Sequence, residues 1–212
     1  LPATGPDTAG TIVLTAHYDH LGRRSGRIYN GADDNASGVG AMLAVAERLA
    51  GQARRHRFVF AALDAEEVGL RGARALVLDG PVDMARVVLN VNLDMISRSD
   101  EQILFAAGTN FTPSLRPFVQ GSAAEGVDLR FGHDEPDGNE LRDWTYASDH
   151  GEFHRAGLPY LYFGVDEHPD YHRPTDDFER IDPVFYTAVV ETIIAAVKRI
   201  DAGWPGPAEG AL

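Results

Sequence analysis

Short apolar runs alternate along the chain with segments of helical periodicity. The apolar runs, the first of which (residues 11–15, TIVLT) is rich in β-branched residues, are typical of strands. They predict strands at residues 11–15, 57–63, 87–93 and 158–165, with a further strand at 103–106. Apolar positions at helical spacing predict helices at residues 36–49, 70–78 and 185–200. This alternation predicts an α/β fold, a three-layer sandwich around a mostly parallel sheet.

The helix predicted at residues 36–49 has a clear amphipathic pattern. One of its faces carries the apolar side chains Val39, Met42, Leu43, Ala46 and Leu49. Asn35 stands directly before this helix, where a capping side chain is expected. By contrast, residues 132–145 are rich in Gly, Pro, Asp and Glu, and predict a surface loop.

Composition and charge narrow the class of protein. The chain has 212 residues, of which 44% are hydrophobic and 24% charged, and we expect a single domain over residues 1–212. The formal net charge of −13 repels phosphate backbones and argues against nucleic acid as a partner. No apolar run is long enough to span a bilayer. Because the chain has no cysteine, only His, Asp and Glu could bind a metal ion.

Acidic and imidazole side chains directly follow the predicted strands instead of lying on helix faces. In open parallel sheets, ligands bind outside the carboxyl ends of the strands, so a site is expected at these positions. Four segments follow strands, namely residues 16–20 (AHYDH), 64–69 (DAEEVG), 92–94 (NLD) and 170–174 (DYHRP), and a fifth, residues 31–38 (GADDNASG), precedes the first helix.

Each of these segments alone has an ordinary structural explanation. Asp33, Asp34 and Asn35 suit the start of a helix, and a pair of glutamates is usually a solvated charge run. Their conjunction is different, because burying so much negative charge without cations costs several kcal/mol per ion. A divalent cation turns clustered carboxylates into a binding site, so the pattern predicts a metal centre.

The order and the local sequences of these segments resemble those of a known family, the di-zinc exopeptidases. That family includes the bacterial leucyl-type aminopeptidases, plasma glutamate carboxypeptidase and, more distantly, glutamate carboxypeptidase II. The resemblance extends from about Thr11 to the C-terminal helix and rests on the segments AHYDHLG, GADDNASGVGAMLAVA, DAEEVGLRGA, NLDM, SDHGEFHRAGLPYLYF and DYHRPTDD. It implies the phosphorylase/hydrolase-like fold of zinc peptidases, whose central sheet is mixed and mostly parallel.

Carried over position by position, the resemblance implies a site for two Zn²⁺ ions. The implied ligands are His17 and Asp94 for one ion, Glu67 and His172 for the other, and Asp33 as the bridge. Oxygen and imidazole ligands also suit cobalt and manganese, which are possible substitutes. The peptide bond after the bridging residue is cis in the family, so we expect a cis bond between Asp33 and Asp34.

The same resemblance implies side chains that act beside the metals. Glu66 would be the general base that takes a proton from water and passes it to the leaving amine. The carboxylate of Asp19 would orient the imidazole of His17. Tyr171 would help to hold the reacting carbonyl oxygen.

The implied activity is that of a zinc-dependent aminopeptidase, which hydrolyses the N-terminal bond of peptide or aminoacyl substrates. A dipeptidase, a carboxypeptidase or a deacylase would use the same metals, and Arg142 or Arg173 would then anchor a carboxylate. A non-catalytic relative of the binding or receptor type is an alternative of another class. Its expected signature is substituted ligands, whereas every ligand position here carries a competent residue.

Ser148, Asp149 and His150 invite interpretation as a serine triad. A triad brings together residues from separate places in a chain, whereas these three are consecutive and no nucleophile elbow is present. The resemblance places the segment beside the substrate pocket instead. Family domains usually have a further helix and strand before the first His-x-Asp motif, so we expect either a compact variant or a trimmed N-terminus. The resemblance alone favours a secreted or periplasmic location.

Overall fold

The structure, a computed structural model, describes residues 1–6, 9–135 and 143–205 and is built on a six-stranded sheet. The described residues form eight strands, six of which belong to this sheet. They are β1 Thr11–His17, β2 Gly22–Arg24, β3 Arg27–Tyr29, β4 Arg57–Leu63, β5 Val87–Leu93, β6 Ile103–Ala107, β7 Asp128–Phe131 and β8 Tyr160–Gly164. Its α-helices are α1 Gly38–Ala50, α2 Arg71–Asp79, α3 Arg116–Val119, α4 His150–Arg155 and α5 Pro183–Gly203.

The sheet is mixed but mostly parallel, with strand order β4-β1-β5-β8-β6-β7. Strands β4, β1, β5 and β8 are parallel neighbours, β6 pairs antiparallel with β8, and β7 is parallel to β6. The short strands β2 and β3 form a separate antiparallel hairpin. Consequently the carboxyl ends of β4, β1, β5 and β8 meet at one edge of the sheet, which we call the carboxyl edge.

Helices cover both faces of the sheet and complete three layers. On one face, Ile12 and Leu14 of β1 belong to a buried apolar cluster with residues of α1, α3 and α5. On the other face, Val13 packs in a second cluster with Leu76 of α2 and Phe153 of α4. This alternation follows from the two-residue period of a strand. Each fully buried Leu or Ile contributes about 1.5–3 kcal/mol relative to exposure.

The strong apolar patterns predicted their elements well. Residues 57–63 and 87–93 form β4 and β5 with the predicted bounds. Helix α1 begins at Gly38, two residues later than predicted, because residues 32–37 form a tight turn. Ser37 therefore occupies the position before the helix, while the Oδ1 of Asn35 accepts a hydrogen bond from the Gly38 N–H at 3.0 Å.

The pattern missed short or exposed elements. The hairpin β2–β3, the edge strand β7 and the six-residue helix α4 have too few residues to show a period. The surface loop expected at 132–145 lies partly outside the described residues, as does Arg142. Within its described part, Asp134 and Thr145 are buried, so this prediction was wrong at those positions. The reason is that the Asp134 carboxylate accepts hydrogen bonds from the backbone N–H groups of Gly108 and Asn110.

The helices within the described residues include no candidate membrane span. None of them combines the length and the apolar character needed to cross a membrane.

Candidate metal centre

Side chains from five separate segments converge at the carboxyl edge. His17 is the last residue of β1, Asp94 directly follows β5, and Glu67 lies four positions after the end of β4. Asp34 lies in the turn before α1, and His172 in the segment after β8. Parallel strands thus bring together the residue types that were expected to form a site.

The first group of donors consists of His17, Asp34 and Asp94, all of them buried. The Nε2 of His17 lies 3.3 Å from Asp34 Oδ1 and 3.3 Å from Asp94 Oδ1. Its Nδ1 lies 3.1 Å from the backbone oxygen of Asp19. An N–H at Nδ1 would leave Nε2 as a lone-pair donor that faces the two carboxylates.

The second group surrounds the other oxygen of Asp34. His172 Nε2 lies 3.2 Å from Asp34 Oδ2 and 3.2 Å from Glu67 Oε2. In the same group, His20 Nδ1 lies 2.7 Å from Glu67 Oε1 and 3.8 Å from Asp34 Oδ2. The two oxygens of Asp34 therefore face different imidazoles, which is the arrangement of a carboxylate between two cation positions.

Asp33, which was expected to be the bridge, points elsewhere, and that prediction was wrong. Its Oδ1 accepts hydrogen bonds from both the backbone N–H and the hydroxyl of Ser97, each at 2.7 Å. Its Oδ2 lies 3.0 Å from His168 Nε2. Because these partners already satisfy the Asp33 carboxylate, the neighbouring Asp34 occupies the central place.

The cis peptide bond is displaced by the same single residue. It joins Asp34 and Asn35, whereas the expected position was between Asp33 and Asp34. The cis bond thus follows the aspartate that lies between the two donor groups, as the family pattern implies. The error was in the alignment of two adjacent aspartates.

Buried side chains hold the Asp34 turn in place. Asp176 accepts hydrogen bonds from the backbone N–H of Asp33 at 3.0 Å and of Asp34 at 3.1 Å. Asn35 donates from Nδ2 to the Leu93 carbonyl at 2.9 Å, which ties the turn to the end of β5. Gly38 permits this approach, since a Cβ there would lie 2.4 Å from Leu93 O.

Asp19 links two of the converging segments. Its carboxylate accepts hydrogen bonds from the backbone N–H of Glu66 at 3.1 Å and of Glu67 at 3.3 Å. The distance from His17 Nδ1 to Asp19 Oδ1 is 3.6 Å, longer than the 3.1 Å to the Asp19 backbone oxygen. The backbone of Asp19 therefore makes the contact expected of its carboxylate, while the carboxylate positions the two glutamates.

Positive φ angles occur beside three of these side chains. Ala65 precedes Glu66 with φ 62°, Met95 follows Asp94 with φ 55°, and His172 itself has φ 54°. A left-handed backbone costs a residue with a Cβ roughly 1–2 kcal/mol. Such strain persists where the surrounding structure over-determines the conformation, and it clusters at functional sites.

Burial and like charges set the ionisation of the acidic groups. Burial raises the pKa of Glu66 to about 9, and the neighbouring charges of Asp94, Asp149 and Glu67 act in the same direction. Burial raises the pKa of Asp149 to about 7 and that of Asp94 above its usual value. Burial also opposes ionisation of Asp34, but hydrogen bonds from His17 and His172 hold its pKa below the usual range.

His17 shows the converse effect on a base. Burial alone would lower its pKa, yet the charge of Asp94 and hydrogen bonds with Asp34 and Asp94 raise the pKa to about 12. The pKa of His172 is raised mainly by its hydrogen bond with Asp34. A proton shared among crowded carboxylates marks a place where a cation is favoured electrostatically.

Several donor atoms of the site lack partners among the described residues. Both ring nitrogens of His20, Oε1 of Glu67 and both carboxylate oxygens of Asp149 are buried without a hydrogen bond. Buried polar atoms are normally paired, so such a cluster calls for a missing partner. Carboxylate and imidazole donors with no thiolate fit Zn²⁺ or similar divalent ions.

Tyr171 lies beside the second donor group. Its ring stacks on the His172 ring with centroids 3.9 Å apart. Burial raises the pKa of the Tyr171 hydroxyl well above its usual value, and the charges of Asp34 and Asp94 add to the effect. Tyr171 is therefore a protonated donor at neutral pH.

The consecutive Ser148, Asp149 and His150 do not form a relay. The Ser148 hydroxyl accepts a hydrogen bond from Asn92 Nδ2 at 2.9 Å, and His150 Nε2 lies 2.8 Å from the Trp144 carbonyl. Burial lowers the pKa of His150 to about 3, so its ring is neutral. Asp149, by contrast, joins the acidic cluster beside Glu66; the family resemblance had placed this segment beside the substrate pocket.

Two further residues were missed or misplaced from the sequence. Asp34 was passed over in favour of its neighbour, and only the side-chain direction distinguishes the two. His20 was given no ligand role, although it lies in the same AHYDHLG segment as His17. Its three-residue spacing from His17 was the available signal.

These features together describe an α/β protein with a buried carboxylate–imidazole centre suited to divalent cations. Comparison with known proteins identifies its family. The sequence model of peptidase family M28 matches residues 2–197, and the chain belongs to this family.

Individual relatives agree with this assignment. Aminopeptidase YwaD of Bacillus subtilis (strain 168) is 30% identical over 193 residues, which cover 88% of this chain and 40% of that protein. BSAP, a zinc aminopeptidase from Bacillus subtilis, superposes with a TM-score of 0.76 at 26% identity, covering 100% of this chain and 50% of that structure. An aminopeptidase from Aneurinibacillus sp. strain AM-1 has a TM-score of 0.71 at 25% identity, covering 97% of this chain and 47% of the other. The chain thus spans about half the length of these relatives or less.

Proposed function

We propose that this chain carries the catalytic centre of a zinc-dependent aminopeptidase, which removes the N-terminal residue of peptides. Its membership of peptidase family M28 supports a peptidase activity. The relatives named above are aminopeptidases, and one of them is named as a zinc enzyme.

One observation carries the proposal: the Asp34 carboxylate lies between two sets of imidazole and carboxylate donors. Its Oδ1 faces His17 and its Oδ2 faces His172. We assign His17 and Asp94 to one Zn²⁺ ion, Glu67 and His172 to the other, and Asp34 as the bridge in place of Asp33. The carboxylates of Asp34 and Asp94, which raise the pKa of His17, would attract a cation to the same place.

The chemistry of such a centre suits hydrolysis of a peptide bond. When bound, a pair of zinc ions lowers the pKa of a coordinated water towards ~7 and polarises the scissile carbonyl. The remaining requirements are a base, a donor to the carbonyl oxygen and an anchor for the substrate. The chain supplies residues for each.

Glu66 is the proposed general base. It lies next to Glu67 in sequence, but the two carboxylates have different surroundings. Glu67 faces the rings of His20 and His172. Burial and neighbouring acids raise the pKa of Glu66, so this carboxyl holds a proton readily. Glu66 would accept the proton of the attacking water and deliver it to the leaving amine.

Tyr171 and Asp19 support this step in different ways. The protonated hydroxyl of Tyr171, beside His172, is the proposed donor to the carbonyl oxygen of the substrate. The Asp19 carboxylate fixes the backbone of Glu66 and Glu67 and so acts as a positioning residue.

The charge of the site favours a substrate with a free amine. Asp19, Glu66, Asp94 and Asp149 make the surroundings of the donors strongly acidic. Arg173, a candidate anchor for a substrate carboxylate, has an exposed side chain, and Arg142 lies outside the described residues. An ammonium group at the substrate N-terminus complements this charge, which favours an aminopeptidase over a carboxypeptidase.

The test combines metal content with activity. We expect the chain reconstituted with Zn²⁺ to bind two ions and to hydrolyse aminoacyl-p-nitroanilides, measured across a panel of side chains. The same substrates with an acetylated amine should be turned over poorly. Faster hydrolysis of N-acetylated substrates, or of peptides at the carboxyl end, would contradict the aminopeptidase assignment. Absence of bound metal would contradict the centre itself.

A further inference from the structure

His20 has no role in the mechanism above, yet its imidazole is placed like that of a ligand. Its side chain is only 7% exposed, compared with 39% for that of His172. Neither of its ring nitrogens has a hydrogen-bond partner within the described part of the chain. A buried imidazole with no partner is costly, so the position calls for an explanation.

The nearest polar atom is unsatisfied as well. His20 Nδ1 lies 2.7 Å from Glu67 Oε1, but both atoms remain without a hydrogen bond, because their alignment does not permit one. The same Nδ1 lies 3.8 Å from Asp34 Oδ2. Two lone-pair atoms that approach each other without sharing a hydrogen are satisfied together by a cation between them.

The backbone around His20 leaves room for this placement. Gly31, with φ 64°, lies against the His20 ring, and a Cβ there would lie 2.7 Å from His20 Cγ. A side chain at position 31 would therefore displace the ring from Glu67. The glycine keeps the imidazole directed at the second group of donors.

We propose that His20 is a direct ligand of the second cation, in addition to Asp34, Glu67 and His172. This inference rests on the proposed two-metal centre. It gives the two metal positions different numbers of protein donors. The position of His17, Asp34 and Asp94 has three protein donors, the number typical of a catalytic site open to water. The position of His20 has four, the number that closes a tetrahedral zinc site. The second ion is then the more firmly held of the two.

The test measures metal binding in the 212-residue chain, independently of activity. X-ray absorption of the zinc-loaded wild type should show a total of three imidazole ligands for the two zinc ions. The total is two if His20 is not a ligand. In His20→Ala, one of the two zinc ions should bind more than ~100-fold more weakly by calorimetry. Loss of a residue that only supports a ligand costs ~10–100-fold. The matched control is His154→Ala, since His154 contacts Phe111 at 4.6 Å between ring centroids and is remote in sequence from every proposed ligand.

The outcomes separate this inference from the proposed function. Two bound ions with only two imidazoles would overturn the role of His20 and leave the proposed function standing. If His20→Ala weakens zinc binding by less than ~100-fold and keeps the same number of imidazole ligands as the wild type, His20 is a positioning residue for Glu67. That result would also overturn its role as a ligand. A wild type that binds no zinc would overturn both. Should His20→Ala fail to fold, the imidazole count of the wild type decides alone.

Discussion

Buried histidine and aspartate side chains meet at both edges of the sheet, with opposite consequences. Beyond the amino end of β4, Asp201 accepts hydrogen bonds from the backbone N–H of Arg55 and His56, and its Oδ1 lies 3.0 Å from His56 Nδ1. We call Arg55, His56 and Asp201 the amino-edge cluster. At the carboxyl edge, Asp149 has no hydrogen bond to either oxygen among the described residues, and Asp94 is buried beside other acids.

The difference is the ratio of hydrogen-bond donors to carboxylates. In the amino-edge cluster, the single carboxylate of Asp201 accepts two backbone hydrogen bonds and lies within hydrogen-bond distance of the His56 ring, so its oxygens are satisfied within the chain. At the carboxyl edge, several carboxylates compete for a few imidazoles. Buried charge that the chain compensates is structural, whereas buried charge that it leaves uncompensated marks a site for an external cation. Asp33 and Asp34 show the same contrast between adjacent residues: Ser97 and His168 satisfy the carboxylate of Asp33, whereas that of Asp34 lies between the imidazoles of His17 and His172.

The largest expected effect concerns the chemistry at the carboxyl edge. Glu66→Gln keeps the size of the side chain but removes the general base, so kcat should fall by roughly 10²–10⁴. Zinc content, measured by elemental analysis, should stay at the wild-type level. Near-normal kcat would remove Glu66 from its proposed role.

A second pair of variants compares the two adjacent aspartates. Asp34→Asn should weaken binding of both zinc ions by ~100-fold or more, because a bridging ligand is lost. Asp33→Asn should retain both ions and instead lower the free energy of unfolding by about 1–3 kcal/mol, since its hydrogen bonds to Ser97 and His168 are weakened. Calorimetric titration and urea unfolding would measure the two effects. The reverse result would restore Asp33 as the bridge.

At the amino edge, Asp201→Asn should affect stability alone. The loss of a charged acceptor for three donors should lower the free energy of unfolding by about 1–3 kcal/mol. For a chain of this size, each kcal/mol corresponds to a fall in Tm of about 2–4 °C. Zinc stoichiometry should remain unchanged, and a change in it would show that the two edges are coupled.

The smallest effect is expected on acidification. Burial lowers the pKa of His56, so the folded chain binds fewer protons at this group than the unfolded chain. Its neutral form stabilises the fold above the ordinary histidine pKa of ~6.5, and that contribution is lost as the pH falls below it. His56→Gln should therefore lose less stability than the wild type between about pH 7.5 and about pH 5.5. Equal losses in urea unfolding at the two pH values would contradict this assignment.

The prediction of the fold succeeded where a pattern extends over many residues. The apolar runs at residues 57–63 and 87–93 predicted β4 and β5 with their bounds, because several consecutive apolar residues are a local signal of a strand. The exposed strand β7 and the short helix α4 depend on contacts with neighbouring elements, which no local pattern records. The family resemblance supplied the mixed character of the sheet.

The candidate site divides in the same way. His17, Glu67, Asp94 and His172 were expected from the sequence, and the structure brings all four to the carboxyl edge. The identity of the central aspartate was wrong by one position. The role of Asp19 differs in detail, because its backbone oxygen, not its carboxylate, makes the closer contact with His17.

The sequence by itself determined which residue types are available and which strand ends carry them, because apolar runs and their acidic endings are local properties of the chain. Only the tertiary structure decided which way each side chain points. Asp33 and Asp34 are identical in type and adjacent in position, yet Ser97 and His168 satisfy the first and leave the second between two imidazoles. Those partners lie more than sixty positions away in the chain, so the choice between the two carboxylates exists only after folding.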